Sequence, residues 1–168
     1  MSLMSYSIRG ALPGDVPMIH SMIQELAVFE RLEHLLVATE EDLHEALFEH
    51  DGGAHGLVAE LSAEPGRDPT LVGYAIYFEN FSTFLCRRGL YLEDIYVRPD
   101  YRKQGIGKAF LRHLAAIALE RKHGRMEWVV LDWNQNAIDV YKAIGGEILD
   151  EWRVVRLTHD AITKLADE

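Results

Sequence analysis

Cysteine is almost missing: Cys86 is the only one in 168 residues, so an internal disulfide framework and a cysteine-rich metal cage are both excluded. No apolar run reaches the ~18 residues that a membrane-spanning helix needs. The opening Met1-Ser2-Leu3-Met4-Ser5 lacks the basic stretch and apolar core of a secretory signal. A cytoplasmic protein is expected, with Met4 as the natural start and residues 1–3 as a cloning remnant. Basic side chains are also scarce, 17 against 27 acidic ones, for a net charge of −10. That sign opposes a grip on nucleic acid or an anionic membrane. It draws cations such as amines toward an acidic cleft, although an acidic surface also simply keeps a protein soluble. His44-Glu45-Ala46-Leu47-Phe48 fails the H-E-x-x-H pattern at its last position, and none of the eight histidines has zinc spacing with a carboxylate partner. No metal is expected, and surface or capping roles are expected for most histidines. The G-x-S-x-G elbow of a serine hydrolase is missing as well.

With 48% hydrophobic and 26% charged residues, the chain has an ordinary globular composition and the length of one domain, here residues 4–168. A short strand fits residues 6–9. Val16, Ile19, Ile23, Leu26 and Ala27 then recur at helical spacing. Thr39-Glu40-Glu41-Asp42 resembles a capping box that opens a second helix. A strand fits 56–61, a surface loop 62–70, and a hairpin strands 71–78 and 90–97. Ile106, Phe110, Leu114, Ile117 and Ala118 share one face of a helix over 105–123, with Gly124 supplying its stop. A strand over 126–131, a helix over 135–144 and a last strand over 152–157 complete the pattern. The implied fold is α/β, a mixed and mostly antiparallel sheet with helices on both faces, in three layers.

Arg102-Lys103-Gln104-Gly105-Ile106-Gly107 joins a strand and turn to the third helix. Glycines let main-chain amides approach phosphate oxygens, and a helix N-terminus adds free donors and partial positive charge. Arg102, Lys103 and Lys108 add cationic side chains. By itself R-x-x-G-x-G is only moderately specific, and an ordinary turn with a solvated basic rim also fits it. It is neither a Walker A loop nor a dinucleotide fingerprint, since it lacks G-K-[ST] and the ribose-binding acid.

This turn resembles the pyrophosphate motif of the GNAT (Gcn5-related) N-acetyltransferases, which transfer acetyl from acetyl-CoA to an amine. The element order is similar to that fold over almost the whole chain. Leu90-Tyr91-Leu92-Glu93-Asp94-Ile95-Tyr96-Val97, Asp100-Tyr101-Arg102 and Asp132-Trp133-Asn134 with Tyr141-Lys142 are similar to the diamine acetyltransferases. Leu131-Asp132-Trp133-Asn134-Gln135, with Tyr141-Lys142-Ala143-Ile144-Gly145, looks closest to the branch that acetylates thialysine.

The resemblance implies acetyl-CoA as co-substrate, bound by Ile95, Tyr96 and Val97 and by Arg102, Lys103, Gln104, Gly105, Ile106, Gly107 and Lys108, with Asn134 and Tyr141 also contacting it. Ile95 and Val97 would act through main-chain amides that meet charge developing on the thioester oxygen. Tyr141 would be the general acid that protonates the departing thiolate; by pattern alone it also reads as a core tyrosine. An attacking amine must lose a proton, since its ordinary pKa of ~10.4 leaves it charged at pH 7. Glu93 is implied as the base, directly or through water, with an ion pair to Arg98 or Arg153 as its bland alternative. Glu93 and Asp94 both interrupt an apolar strand, so at least one should occupy a semi-buried setting that is costly unless used or paired.

Substrate contacts are implied for Glu30, Glu93, Asp94, Glu127, Trp128, Glu151 and Trp152. Two departures separate the chain from polyamine-acetylating relatives: Thr83 stands where they carry an aspartate, and the loop between Gly145 and Trp152 is shorter. The expected activity is direct acetyl transfer to a small primary amine of thialysine or lysine-like type, by a homodimer. Acetylation of spermidine or spermine is one alternative, and a non-catalytic acyl-CoA sensor is another.

Overall fold

Strands β1 (Tyr6–Gly10), β2 (Ala54–Leu61), β3 (Thr70–Ser82), β4 (Arg87–Val97) and β5 (Met126–Glu127) lie side by side in chain order in one sheet. The first four pair antiparallel, and β5 runs parallel to β4. The computed structural model describes residues 5–49, 53–62 and 70–167. The expected loop over 62–70 therefore falls mostly outside the described residues. The chain divides into two compact units, Met1–Val129 and Val130–Glu168.

In the first unit, α1 (Val16–Glu30) buries Val16, Ile19 and Met22, as the helical spacing predicts. It ends at Arg31, whose φ of 60° breaks the helix while its N–H bonds the Ala27 and Val28 carbonyls. The capping box of α2 (Glu40–Phe48) is formed: the Asp42 N–H donates to Thr39 Oγ1 at 3.2 Å, and the Thr39 N–H donates to Asp42 Oδ2 at 2.7 Å. Both helices cover one sheet face, where Ile19 and Met22 pack with Val58, Leu71, Tyr74 and Tyr96, flanked by Leu43 and Leu47. Neighbouring strand residues point to opposite faces, so Gly73 looks away from this core. There it meets Phe110 of α3 (Ile106–Glu120): a Cβ on Gly73 would sit 3.2 Å from the Phe110 ring and 2.7 Å from the Tyr96 carbonyl oxygen. Helices thus cover both faces of the sheet, as expected.

The second unit holds α4 (Gln135–Ala143) and α5 (His159–Ala166). Three expectations are corrected. Only Met126 and Glu127 of 126–131 pair as a strand. Residues 152–157 form no strand, because a β-prone pattern becomes one only where a ladder partner is met, and none is met among the described residues. α5 is an element that the sequence pattern does not announce. The left-handed residue after α3 is Lys122, with φ 57°, and not Gly124. Gly124 serves close approach instead, since a Cβ there would lie 2.9 Å from Leu85 Cδ1. His123 departs from the surface role expected of most histidines: its side chain is 2% exposed and lies 3.0 Å from Glu79.

Candidate active site

The turn before α3 has the main-chain shape of an anion cradle. Lys103 and Gly105 both take positive φ, 62° and 84°, a left-handed conformation that recurs in anion-binding turns. Gly105 is the N-cap and offers no side-chain cap, which leaves the first amides of α3 without side-chain partners from it. A Cβ on Gly107 would meet nothing within 4 Å, so the space beside it is open. These residues fit a pyrophosphate. Arg102 is used differently from its neighbours: its Nε donates to the Val97 carbonyl at 2.8 Å, and its guanidinium lies over the Phe29 and Tyr96 rings, 5.1 and 5.4 Å from their centroids. It braces the turn against α1 and β4.

β5 pairs only with Leu90 and Tyr91 of β4, so beyond Tyr91 no strand among the described residues lies along the outer edge of β4. The Arg98 N–H donates to the Val72 carbonyl across β3, at 2.9 Å. By strand alternation Tyr96 also faces β3, while the amides of Ile95 and Val97 point to the open edge. The side chain of Tyr96 is directed to α1, where its hydroxyl donates to Glu25 Oε2 at 3.1 Å. The amides of this strand that no strand among the described residues pairs are therefore those of Ile95 and Val97.

A bulge separates the two acidic residues of β4. Ile76 pairs with Asp94 and Tyr77 with Leu92, leaving Glu93 as the extra residue, and its side chain is exposed. Asp94 occupies the semi-buried setting and faces the α1 side. Burial, and then the charges of Glu93 and Glu30, push its carboxyl up to about 6. Glu30, the last residue of α1, is raised by its own burial. Arg98 does not balance them, because it pairs with Glu25 at 3.0 Å. Of the two arginines in the alternative reading of Glu93 as an ion-pair partner, Arg98 is paired with Glu25 instead. Tyr74 carries no signal in the sequence, where a tyrosine inside an apolar run reads as core. It is fully buried, and its hydroxyl has no hydrogen-bond partner among the described residues.

Glu127 accepts from Asn80 Nδ2 and faces Arg125 Nε, both at 2.8 Å, so its charge is met within the unit. Trp128 is half-buried. Within the second unit, Asn134 caps α4 by accepting from the Ala137 N–H at 3.3 Å, which leaves its amide nitrogen as the remaining donor. Tyr141 lies in α4, half-buried, and burial raises its hydroxyl above the ordinary tyrosine value. It is neutral at pH 7 and carries a proton. Glu151 and Trp152 are exposed on irregular chain.

A mixed sheet with an open strand edge and a glycine turn feeding a helix is the framework on which these residues are arranged. The Acetyltransferase (GNAT) family model matches residues 19–145, and the chain belongs to that family. It is 40% identical to bovine (Bos taurus) thialysine N-epsilon-acetyltransferase over 164 residues, covering 95% of this chain and 96% of that protein. It is 37% identical to L-ornithine N5-acetyltransferase NATA1 of Arabidopsis thaliana over 194 residues, covering 92% and 85%. An integron cassette protein from the mobile metagenome of V. cholerae shares the fold with a TM-score of 0.74 at 24% identity, covering 98% of this chain and 99% of that one. The chain is thus a GNAT N-acetyltransferase acting on amines.

Proposed function

We propose that this enzyme uses acetyl-CoA to acetylate the side-chain amine of a small amino acid of thialysine, lysine or ornithine type. The observation that carries the reading is the pair Glu30 and Asp94, two part-buried carboxyls for which no ion pair with an arginine or lysine is found among the described residues, beside an exposed Glu93 at a bulge. Such a pair attracts and orients a compact cation. The names of the two enzymes above support the choice of acceptor. A long polycation is less well served, since the neutral Thr83 lies in the exposed hairpin turn.

Acetyl-CoA would supply the activated acetyl group. The amides around Gly105 and Gly107 would hold its diphosphate, with Lys103 and Lys108 adding charge. The amides of Ile95 and Val97 would orient the thioester and stabilise charge on its oxygen. Glu93, open to solvent, would take the amine's proton directly or through water. Tyr141 would keep a proton on Oη for the leaving sulfur. Gln104 and Ile106 shape the turn, with the Gln104 side chain reaching the Asp100 carbonyl at 3.5 Å. A homodimer is part of the same proposal.

The test is mass detection of product after incubation with acetyl-CoA and thialysine, lysine or ornithine. One added acetyl group is expected on the amine. Binding of acetyl-CoA without any product would mark a sensor and end this reading.

A further inference from the structure

Glu25 lies within α1, half-buried, and holds both side chains that flank Val97. The Tyr96 hydroxyl donates to its Oε2 at 3.1 Å, while Arg98 meets its Oε1 through Nε at 3.1 Å and Nη2 at 3.0 Å. The same guanidinium reaches further: Nη1 donates to the Leu71 carbonyl of β3 at 3.2 Å, and Nη2 lies 3.3 Å from Met18 Sδ. Arg98 is thus fixed between α1 and β3. Burial, and then the charge of Glu25, hold the Tyr96 hydroxyl above the ordinary tyrosine value, so it stays a neutral donor. Docking of α1 does not need this polar clamp, since Ile19 and Met22 already bury completely against the sheet.

The clamp sits beneath the groups that face the donor substrate. Val97, between the two clamped residues, sends its amide to the open edge of β4, and its carbonyl accepts from Arg102 Nε at 2.8 Å. The Arg102 guanidinium rests on the Tyr96 ring and on Phe29, which stands one helical turn after Glu25 on α1. Immediately after the clamp the chain turns: the Tyr101 N–H donates to the Arg98 carbonyl at 2.9 Å, and the Arg102 N–H to the Pro99 carbonyl at 3.2 Å. One carboxylate of α1 therefore secures both the strand end that carries the free amides and the root of the glycine turn.

We propose that Glu25 is a positioning residue for acetyl transfer: by holding Tyr96 and Arg98 it fixes the aim of the Ile95 and Val97 amides and the seat of Arg102, without touching either substrate. This rests on the reading above, in which those amides meet the thioester oxygen and the turn holds the diphosphate. Donors stabilise developing charge only when they are held where it appears, so a small rotation of this strand end weakens the transition state more than it weakens binding.

The decisive variant is Glu25→Gln, which keeps the side chain's size and removes the charge that holds Arg98. With thialysine or lysine, kcat should fall about tenfold and KM for acetyl-CoA rise about threefold, while KM for the amine stays within about twofold of the parent. Arg98→Lys, which keeps the charge and loses the fork, should give the same split. Asp15→Asn is the control: it weakens the Arg9–Asp15 pair, 2.6 Å, at the other end of α1 and should leave all three constants within about twofold. A merely structural Glu25 would lower the melting temperature and leave kcat and both KM values of the folded enzyme unchanged, and that result overturns the inference. So does an equal loss in Asp15→Asn. Should Glu25→Gln not fold, Arg98→Lys decides by the same limits. Any of these outcomes in an active parent leaves the acetyltransfer reading intact. If the parent binds acetyl-CoA in calorimetric titration but makes no product, the transfer reading fails, and the affinity of Glu25→Gln for acetyl-CoA decides whether the clamp positions the turn. A parent that neither binds acetyl-CoA nor makes product overturns both.

Discussion

Asp94 is held as a weak acid by its surroundings, and that has a measurable cost. Its folded value of about 6 lies above the ordinary 3.8, so the folded protein binds the proton more tightly than the unfolded chain does. The ionised form is penalised: stability from this group falls as pH rises through about 4 to 6 and stays low above. A carboxyl displaced that far loses about 3 kcal/mol once it is ionised. Asp94→Asn should therefore melt several degrees higher at pH 8, with the gain fading toward pH 4, and should bind the acceptor amine more weakly at pH 8. Scanning calorimetry across pH checks the first part, and an unchanged profile would remove the penalty from Asp94. The sequence marks Glu93 and Asp94 as a costly pair but cannot divide the roles. The division is made by the bulge, which drops Glu93 from the ladder, and no residue pattern announces where a ladder slips. Tyr74 is illegible for a related reason: whether a buried hydroxyl is satisfied depends on groups from other elements.

Among the elements, the turn before α3 is the most legible, because glycine spacing reports directly on main-chain conformation. Gly105, at φ 84°, and the open space beside Gly107 agree with it. The two glycines should respond differently. Gly107→Ala lies in the first turn of α3 with no steric obstacle, so the fold should gain up to about 1 kcal/mol from higher helix propensity. Acetyl-CoA affinity should nonetheless drop tenfold or more, because a methyl group enters the phosphate space. Calorimetric titration with acetyl-CoA reads this, and undiminished affinity would place the diphosphate elsewhere. Arg102 shows the limit of the motif. Its guanidinium is held by the Val97 carbonyl, Phe29 and Tyr96, which only the packing of α1 on β4 could reveal. The residues at 152–157 show another limit. Their Trp152, Val154 and Val155 suit a strand, yet strand formation requires a partner that local sequence does not specify.

At the scale of the molecule, the layered sheet and the family are legible from hydrophobic periodicity and the quoted motifs, whereas the choice of acceptor is a matter of pocket charge. A chain carrying −10 should bind cations in general, so selectivity has to come from the local pair Glu30 and Asp94. The most direct measurement is kcat/KM, with acetyl-CoA saturating, for thialysine, lysine, ornithine, putrescine and spermidine compared side by side. The amino-acid amines should lead, with spermidine at least tenfold behind. Spermidine in first place, or no acetylated product from any of the five, would contradict this reading of the pocket.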